Sequence, residues 1–192
     1  KAAVIVFPGS NCDRDAKVAL ENSTGQPVDM VWHGDNELPK VDLIVVPGGF
    51  SYGDYLRCGS MAAHSPIMRE VIKQAKEGTP LFAVCNGFQM LMETELLPGA
   101  LLHNNHLKFN CKKVGLNVRS NDNAFMKALE SGETLRDIPI AHGDGNYFVD
   151  QDGDSQADYI PVLVDDPKTN GNSQILMQPK YNTLWLEDQF NT

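Results

Sequence analysis

Along the first hundred positions, short apolar runs alternate with longer stretches of helical period. Ala2-Ala3-Val4-Ile5-Val6-Phe7, Val28–Trp32, Val41–Val46 and Leu81–Val84 are strand-length and mostly apolar. Such runs suit strands buried on both faces, the habit of parallel sheets. Between them, Asp13–Asn22, Met61–Lys76 and Gly87–Glu95 read as helices. The first carries Ala16, Val18, Ala19 and Leu20 among its apolar positions, the second a stripe of Ile67, Val71, Ile72 and Ala75, and Leu97-Pro98-Gly99 stops the third. This succession predicts an α/β fold: a doubly wound, mostly parallel sheet with helices on both faces.

After Lys108 the pattern changes. Lys108–Val118 alternates, which predicts antiparallel strands; Asn123–Glu130 reads as a helix and Leu135–Ala141 as a strand. Tyr159–Val164, Ile175–Gln178 and Thr183–Leu186 are short β candidates, and Asn170-Gly171-Asn172 reads as a turn. The expectation is a single domain over residues 1–192 with a small β-rich extension and a divergent part at 149–192. No internal repeat is visible.

Composition narrows the function. A chain of 192 residues buries one good core and is short for two. A net charge of −9 argues against a nucleic-acid surface or an anionic membrane as partner. No apolar run approaches the ~20 residues that span a bilayer, and the apolar run after Lys1 is too short for a signal peptide. Cysteines 12, 58, 85 and 111 lack metal-ligand spacing and fit a reducing compartment, so a cytoplasmic protein without a metal is expected.

The chemistry collects where strands end. The run Pro80–Val84 empties into Cys85-Asn86-Gly87-Phe88-Gln89, the pattern of a nucleophile elbow. A thiol there stands at a helix N-terminus, which lowers its pKa, and the Asn86 amide can help bind an oxyanion. Ala83 and Gly87 are small where the turn is crowded. The alternative is a buried structural cysteine. A second strand ends in Pro47-Gly48-Gly49-Phe50-Ser51, whose glycines let backbone approach a ligand and offer N–H groups. The first strand ends in Pro8-Gly9-Ser10-Asn11-Cys12-Asp13, a turn with capping-type residues before a helix. Ligands of open parallel sheets bind at such strand ends.

Five segments stand in order: Pro8–Asp13, Pro47–Gly59, Val84–Gln89, Leu96–Leu101 and Ile140–Gly145. Together they resemble the class I glutamine amidotransferase subunit of phosphoribosylformylglycinamidine synthase, a purine-biosynthetic enzyme, from residue 1 to about Phe148. The long Pro47-Gly-Gly-Phe-Ser-Tyr-Gly-Asp-Tyr-Leu-Arg-Cys-Gly59 string separates that family from other class I amidotransferases. The resemblance implies a flavodoxin-like fold and hydrolysis of glutamine through a thioester on Cys85. Ammonia then passes to an ATP- and magnesium-using synthetase subunit, with a small accessory subunit as a further partner; no cofactor is implied in this chain. Gly48, Gly49 and the Asn86 amide become oxyanion and glutamine contacts. Gln89, Ser10, His142 and Gly143 become further glutamine contacts, and Tyr52, Asp54 and Arg57 fall in a loop near the subunit interface.

One part of the family pattern is missing. The resemblance implies a His-Pro-Glu segment near the C-terminus that completes the triad. This chain has histidines at 33, 64, 103, 106 and 142, and the nearest remnant of the segment is Met177-Gln178-Pro179-Lys180, which has its shape but not its chemistry. His142-Gly143-Asp144 has the spacing of a base and its orienter and offers a substitute. His33 and His64 read as structural, and His103 and His106 lie in a polar turn. Asp150, Asp152, Asp154 and Asp158 alternate as in a calcium loop, but the sixth position is not glycine and Pro161 takes the twelfth, so a solvated acidic loop is expected. Three functions stay open: a glutaminase subunit, an impaired homologue that binds the synthetase, and a PfpI-type cysteine hydrolase or stress protein. The last usually has a histidine after its cysteine, where this chain has Asn86.

Overall fold

The computed structural model describes residues 1–97, 100–104, 106–118, 121, 125–148, 160–166, 171–178 and 183–188. The chain divides into two compact units, Lys1–Leu97 with Lys180–Trp185, and Pro98–Pro179 with Leu186–Thr192.

In the first unit, β1 (Ala2–Val6), β2 (Val28–Trp32), β3 (Leu43–Val46) and β4 (Leu81–Val84) form a parallel sheet in the order β2-β1-β3-β4. Ala2 pairs with both Val28 and Leu43, and Ile44 pairs with Leu81. The chain steps outward from β1 to β2, then crosses back to place β3 on the other side of β1. The loops after β1 and β3 therefore open at the switch point, where doubly wound sheets bind ligands. Ala3, Val4, Ile5, Ile44, Val46, Leu81 and Ala83 are wholly buried, as unbroken apolar runs require of central parallel strands.

Helix α1 (Asp13–Thr24) runs two residues past the predicted end and stops at Gly25, which takes the left-handed conformation (φ 65°) that glycine adopts without strain. Ala16 and Leu20 pack on the Ala2, Val4, Val28 and Val45 cluster, whereas Val18 faces solvent. Cys12 occupies the N-cap, and no side chain caps this helix, contrary to the capping reading of its start. The predicted helix over Met61–Lys76 is two helices, α2 (Ser60–Ala63) and α3 (Pro66–Lys76). Proline suits the first helical position but forces its predecessor out of the helical region, and Ser65 is extended at ψ 153°. Helix α3 buries Ile67, Met68, Val71 and Ala75. Each large apolar side chain among them contributes about 1.5–3 kcal/mol. Helix α4 (Asn86–Glu93) follows β4 and is buried from Asn86 to Met92.

In the second unit all described pairings are antiparallel: β5 (Ala100–Leu102) on β8 (Asn146–Phe148), β6 (Asn110–Asn117) on β7 (Thr134–His142), and β9 (Ile160–Asp166) on β10 (Gly171–Gln178). The β6–β7 ladder shifts register between Val114 and Leu116. A last strand, β11 (Thr183–Asp188), begins in the first unit and neighbours β4. Two expectations need correction. The predicted turn at Asn170–Asn172 is already strand at Gly171, which pairs with Asp166. Phe125–Ala128 is a turn where a helix was expected, and 122–124 lie outside the described residues, as does the acidic 150–158 loop.

Candidate active site

Cys85 sits between β4 and α4 with φ 52° and ψ −110°, a left-handed strand-to-helix turn. A non-glycine residue is held there only when its surroundings over-determine it. The packing shows how. A Cβ on Gly87 would lie 2.1 Å from the Val46 carbonyl oxygen, so only glycine lets α4 start this close to β3. A Cβ on Gly48 would touch the Cys85 Cβ at 3.4 Å and the Cys12 Sγ at 3.7 Å. Cys85 remains exposed while the residues after it are buried.

The backbone N–H groups of Asn86 and Gly49 face the Cys85 sulfur and favour its thiolate. They come from the loops after β4 and β3, the two sources an oxyanion hole draws on. The resting thiol differs from expectation. Crowding by surrounding protein pushes its pKa up, the two N–H bonds pull it down, and Cys12 and Asp54 push it further up. The net direction is up, against the acidified thiol that the sequence suggests.

The loop after β3 is tied to this turn through a buried amide. Asn86 Oδ1 accepts from the Ser51 N–H (3.0 Å) and the Ser51 hydroxyl (2.6 Å). Asn86 Nδ2 donates to Asp54 Oδ1 (3.0 Å) and Gln89 Oε1 (2.9 Å). Gln89, expected to hold glutamine, thus gives its carbonyl to Asn86. The loop after β1 joins as well. The Ser10 hydroxyl donates to the Gly48 carbonyl (3.2 Å), Phe50 N–H to Gly9 (3.3 Å) and Tyr52 N–H to Pro8 (2.6 Å). A Cβ on Gly49 would meet Asn11 N at 2.7 Å, so these loops touch backbone to backbone.

The residues placed at an interface divide. The Tyr52 hydroxyl lies 2.6 Å from His33 Nδ1, and Asp54 is engaged with Asn86, so these two side chains turn inward. Phe50, Tyr55 and Leu56 are exposed, Leu56 at 94%. Arg57 is exposed but ion-paired with Glu93 of α4 at 2.6 Å.

In the second unit, His142, Gly143 and Asp144 gather around Asn104, a buried residue the sequence reading missed. Asn104 Nδ2 donates to the carbonyls of Lys108 (2.8 Å) and His142 (3.0 Å), and its backbone N–H donates to Gly143 (2.9 Å). Its Oδ1 accepts from Gly145 N–H (3.0 Å) and faces His142 Nδ1 at 2.9 Å, which places the ring proton on Nδ1. The acceptor at Nδ1 is therefore Asn104, where the sequence suggests Asp144. The chain bends at Gly143, and the Asp144 carboxylate meets His103 Nδ1. Burial, His106 and Lys112 hold the His142 pKa below its usual value against the pull of Asp144.

Residues 1–160 match the CobB/CobQ-like glutamine amidotransferase domain. The chain belongs to this family. It is 58% identical over 151 residues to the phosphoribosylformylglycinamidine synthase subunit PurQ of Ruegeria sp. (strain TM1040), covering 78% of this chain and 67% of that one. It is 54% identical over 152 residues to the PurQ of Zymomonas mobilis, covering 79% and 68%. Its fold matches the solved structure of PurLQS from Thermotoga maritima with a TM-score of 0.79 and 39% identity, over 98% of this chain and 86% of that chain. The PfpI-type alternative is set aside by this match. Among the described residues no helix is long and apolar enough to cross a membrane.

The sequence reading found Cys85, Gly48, Gly49 and the Asn86 backbone through the strand-end glycines. It missed the Asn86 side chain, Ser51 and Asn104. A buried amide that bridges two loops leaves no local pattern, because its partners are set by topology.

Proposed function

We propose that the chain is the glutaminase subunit of a cytoplasmic phosphoribosylformylglycinamidine synthase and that Cys85 is its nucleophile. The observation that carries this reading is the pair of N–H groups, from Asn86 and Gly49, on one exposed sulfur at a strained strand-to-helix turn. The sulfur adds to the side-chain amide carbon of glutamine, and the carbonyl electrons move to oxygen, where the two N–H groups stabilise the charge. The adduct collapses as ammonia leaves with an added proton, giving a glutamyl thioester. Water cleaves the thioester to glutamate and regenerates the thiol. Ser10 contributes to glutamine binding. Ammonia goes to a partner synthetase subunit that uses ATP and magnesium, in an assembly with a small accessory subunit. The exposed Phe50, Tyr55 and Leu56 and the flanking Arg57 supply residue types suited to that contact.

Turnover by residues 1–192 alone is slow in this reading. The histidines stand at 33, 64, 103, 106 and 142, and no His-Pro-Glu is present. General acid and base catalysis are typically worth ~10²–10⁴-fold each. The thiol needs a proton acceptor, and the departing ammonia needs a donor. The test is steady-state ammonia release from glutamine with the synthetase present, with intact-mass analysis of acid-quenched protein. The expected result is release well below the usual ~1–10³ s⁻¹, with a glutamyl adduct building up on Cys85. Release within that range without an adduct would reject impaired turnover and put His142 first among substitute bases. No release and no adduct would reject the glutaminase reading itself.

A further inference from the structure

We infer that the side chain of Asn86 is a positioning residue: it sets the separation of the two backbone N–H groups that converge on Cys85. This rests on the glutaminase reading, since the separation matters only where charge develops on a carbonyl oxygen. The two donors belong to loops that leave different strands, and no short covalent path fixes their spacing. The Asn86 side chain, wholly buried, crosses between them. It grips Ser51, two residues beyond Gly49, by both N–H and hydroxyl.

The orientation of this amide is not arbitrary. The Ser51 N–H can only donate, so the Asn86 atom facing it is the oxygen. That leaves the nitrogen facing Asp54 Oδ1 and Gln89 Oε1, both of which accept. Two acceptances and two donations use the amide fully, so its rotamer is locked from both sides. The gripped loop is also strained: Tyr52 and Asp54 hold φ values of 55° and 53°. Such backbone relaxes when its restraints are lost. Truncating Asn86 therefore lets Gly49 drift from the position that, with the Asn86 N–H, brackets an oxyanion. A shift of this kind weakens the transition state more than ground-state binding.

The test compares two reagents on the intact 192-residue chain. A diazoketone analogue of glutamine binds as glutamine does and presents its ketone oxygen to the two N–H groups. The Cys85 sulfur bonds to the diazo carbon, that carbon takes the thiol proton, and dinitrogen leaves. Iodoacetamide alkylates the same thiol by displacement of iodide and needs no oxyanion site. In Asn86→Ala the saturating diazoketone rate is expected to fall about 10²-fold, the scale of one lost oxyanion donor. Its half-saturating concentration and the iodoacetamide rate per thiolate, taken from the plateau of the pH profile, should stay within about threefold. Ser51→Ala, which keeps the N–H contact, should lose about tenfold in the saturating rate.

A paired exchange separates positioning from mere loss of packing. Asn86→Asp alone sets a carboxylate against Asp54 and should be slow. Adding Asp54→Asn gives the new carboxylate a donor at position 54, and the saturating rate should return to within about tenfold of the unaltered chain. An unchanged saturating rate in Asn86→Ala overturns the inference, as does equal slowing of both reagents or a paired variant as slow as Asn86→Asp. If the unaltered chain shows no saturable labelling, the glutaminase reading falls and this inference falls with it.

Discussion

Cys85 and His142 both stand at the end of a strand beside glycine, and both are surrounded by hydrogen bonds, yet the two places are built to opposite ends. At Cys85 the backbone is strained and the donors are aimed at an exposed sulfur. At His142 the partners face one another: Asn104 ties the His142 carbonyl, the Lys108 carbonyl, the Gly145 N–H and the imidazole into one closed loop. The first arrangement leaves polar groups ready for a reactant. The second uses the Nδ1 edge of the ring and the backbone groups around it in holding its own loop together. Polar groups near a histidine therefore do not by themselves make a base. The direction in which the donors point is the better sign.

The comparison breaks most easily at the two named residues. Cys85→Ala should abolish labelling by a glutamine-like electrophile and lower glutamine-dependent ammonia release by more than about 10⁴-fold, since loss of a nucleophile removes the covalent route. His142→Gln should change the labelling rate of Cys85 by less than about threefold. A loss at His142 that rivals the loss at Cys85 would make it a base and erase the distinction.

Stability sharpens the contrast. Asn104→Ala strands the buried Gly145 N–H, at a cost of about 1–3 kcal/mol, and two part-buried carbonyls that add less, so a loss of roughly 2–4 kcal/mol is expected. Gly87→Ala drives a methyl into the Val46 carbonyl, with an overpacking cost of about 1–3 kcal/mol or more. It should also slow labelling, which Asn104→Ala should not. Denaturant melts and labelling rates on the same samples give both readings.

The pH dependence follows from the thiol. Burial raises the Cys85 pKa above its unfolded value, so folding favours the protonated form. The corresponding stability is present below the unfolded thiol pKa and is lost as pH rises through the folded one. Iodoacetamide labelling should rise with pH to a midpoint above the ~8.5 of an ordinary cysteine. Asp54→Asn removes a negative neighbour and should move that midpoint down. An upward move would mean that Asp54 acts on the sulfur through the loop and not through its charge.

The smallest effect belongs to Arg57. Its ion pair with Glu93 joins an exposed guanidinium to a largely covered carboxylate, so Arg57→Ala should lower stability by only about 1 kcal/mol. The same change should weaken association with the synthetase, and an unchanged affinity removes Arg57 from the contact.

Much of the first unit was legible because a buried parallel sheet writes itself as unbroken apolar runs. Val28–Trp32 and Leu81–Val84 fall where the hydropathy puts them. The strand-end glycines disclosed the elbow for an equally local reason: Gly87 and Gly49 have no room for a side chain. What stayed hidden depended on distant partners. Asn86 binds residues 32 and 35 positions away, Asn104 holds groups 38 and 41 away, and burial that raises the Cys85 pKa comes from the assembled fold. The Ser65-Pro66 break was legible in principle, because proline and its predecessor carry a local rule, but the apolar stripe drew the eye across it.

The central claim is that Cys85 is the thiol that takes glutamine. The direct measurement is peptide mapping by mass spectrometry after treatment with the diazoketone analogue, with and without excess glutamine. The account predicts one adduct, on the peptide carrying Cys85, suppressed by glutamine. Equal labelling of the exposed Cys12 and Cys111, or an adduct on Cys85 that glutamine does not suppress, would contradict it.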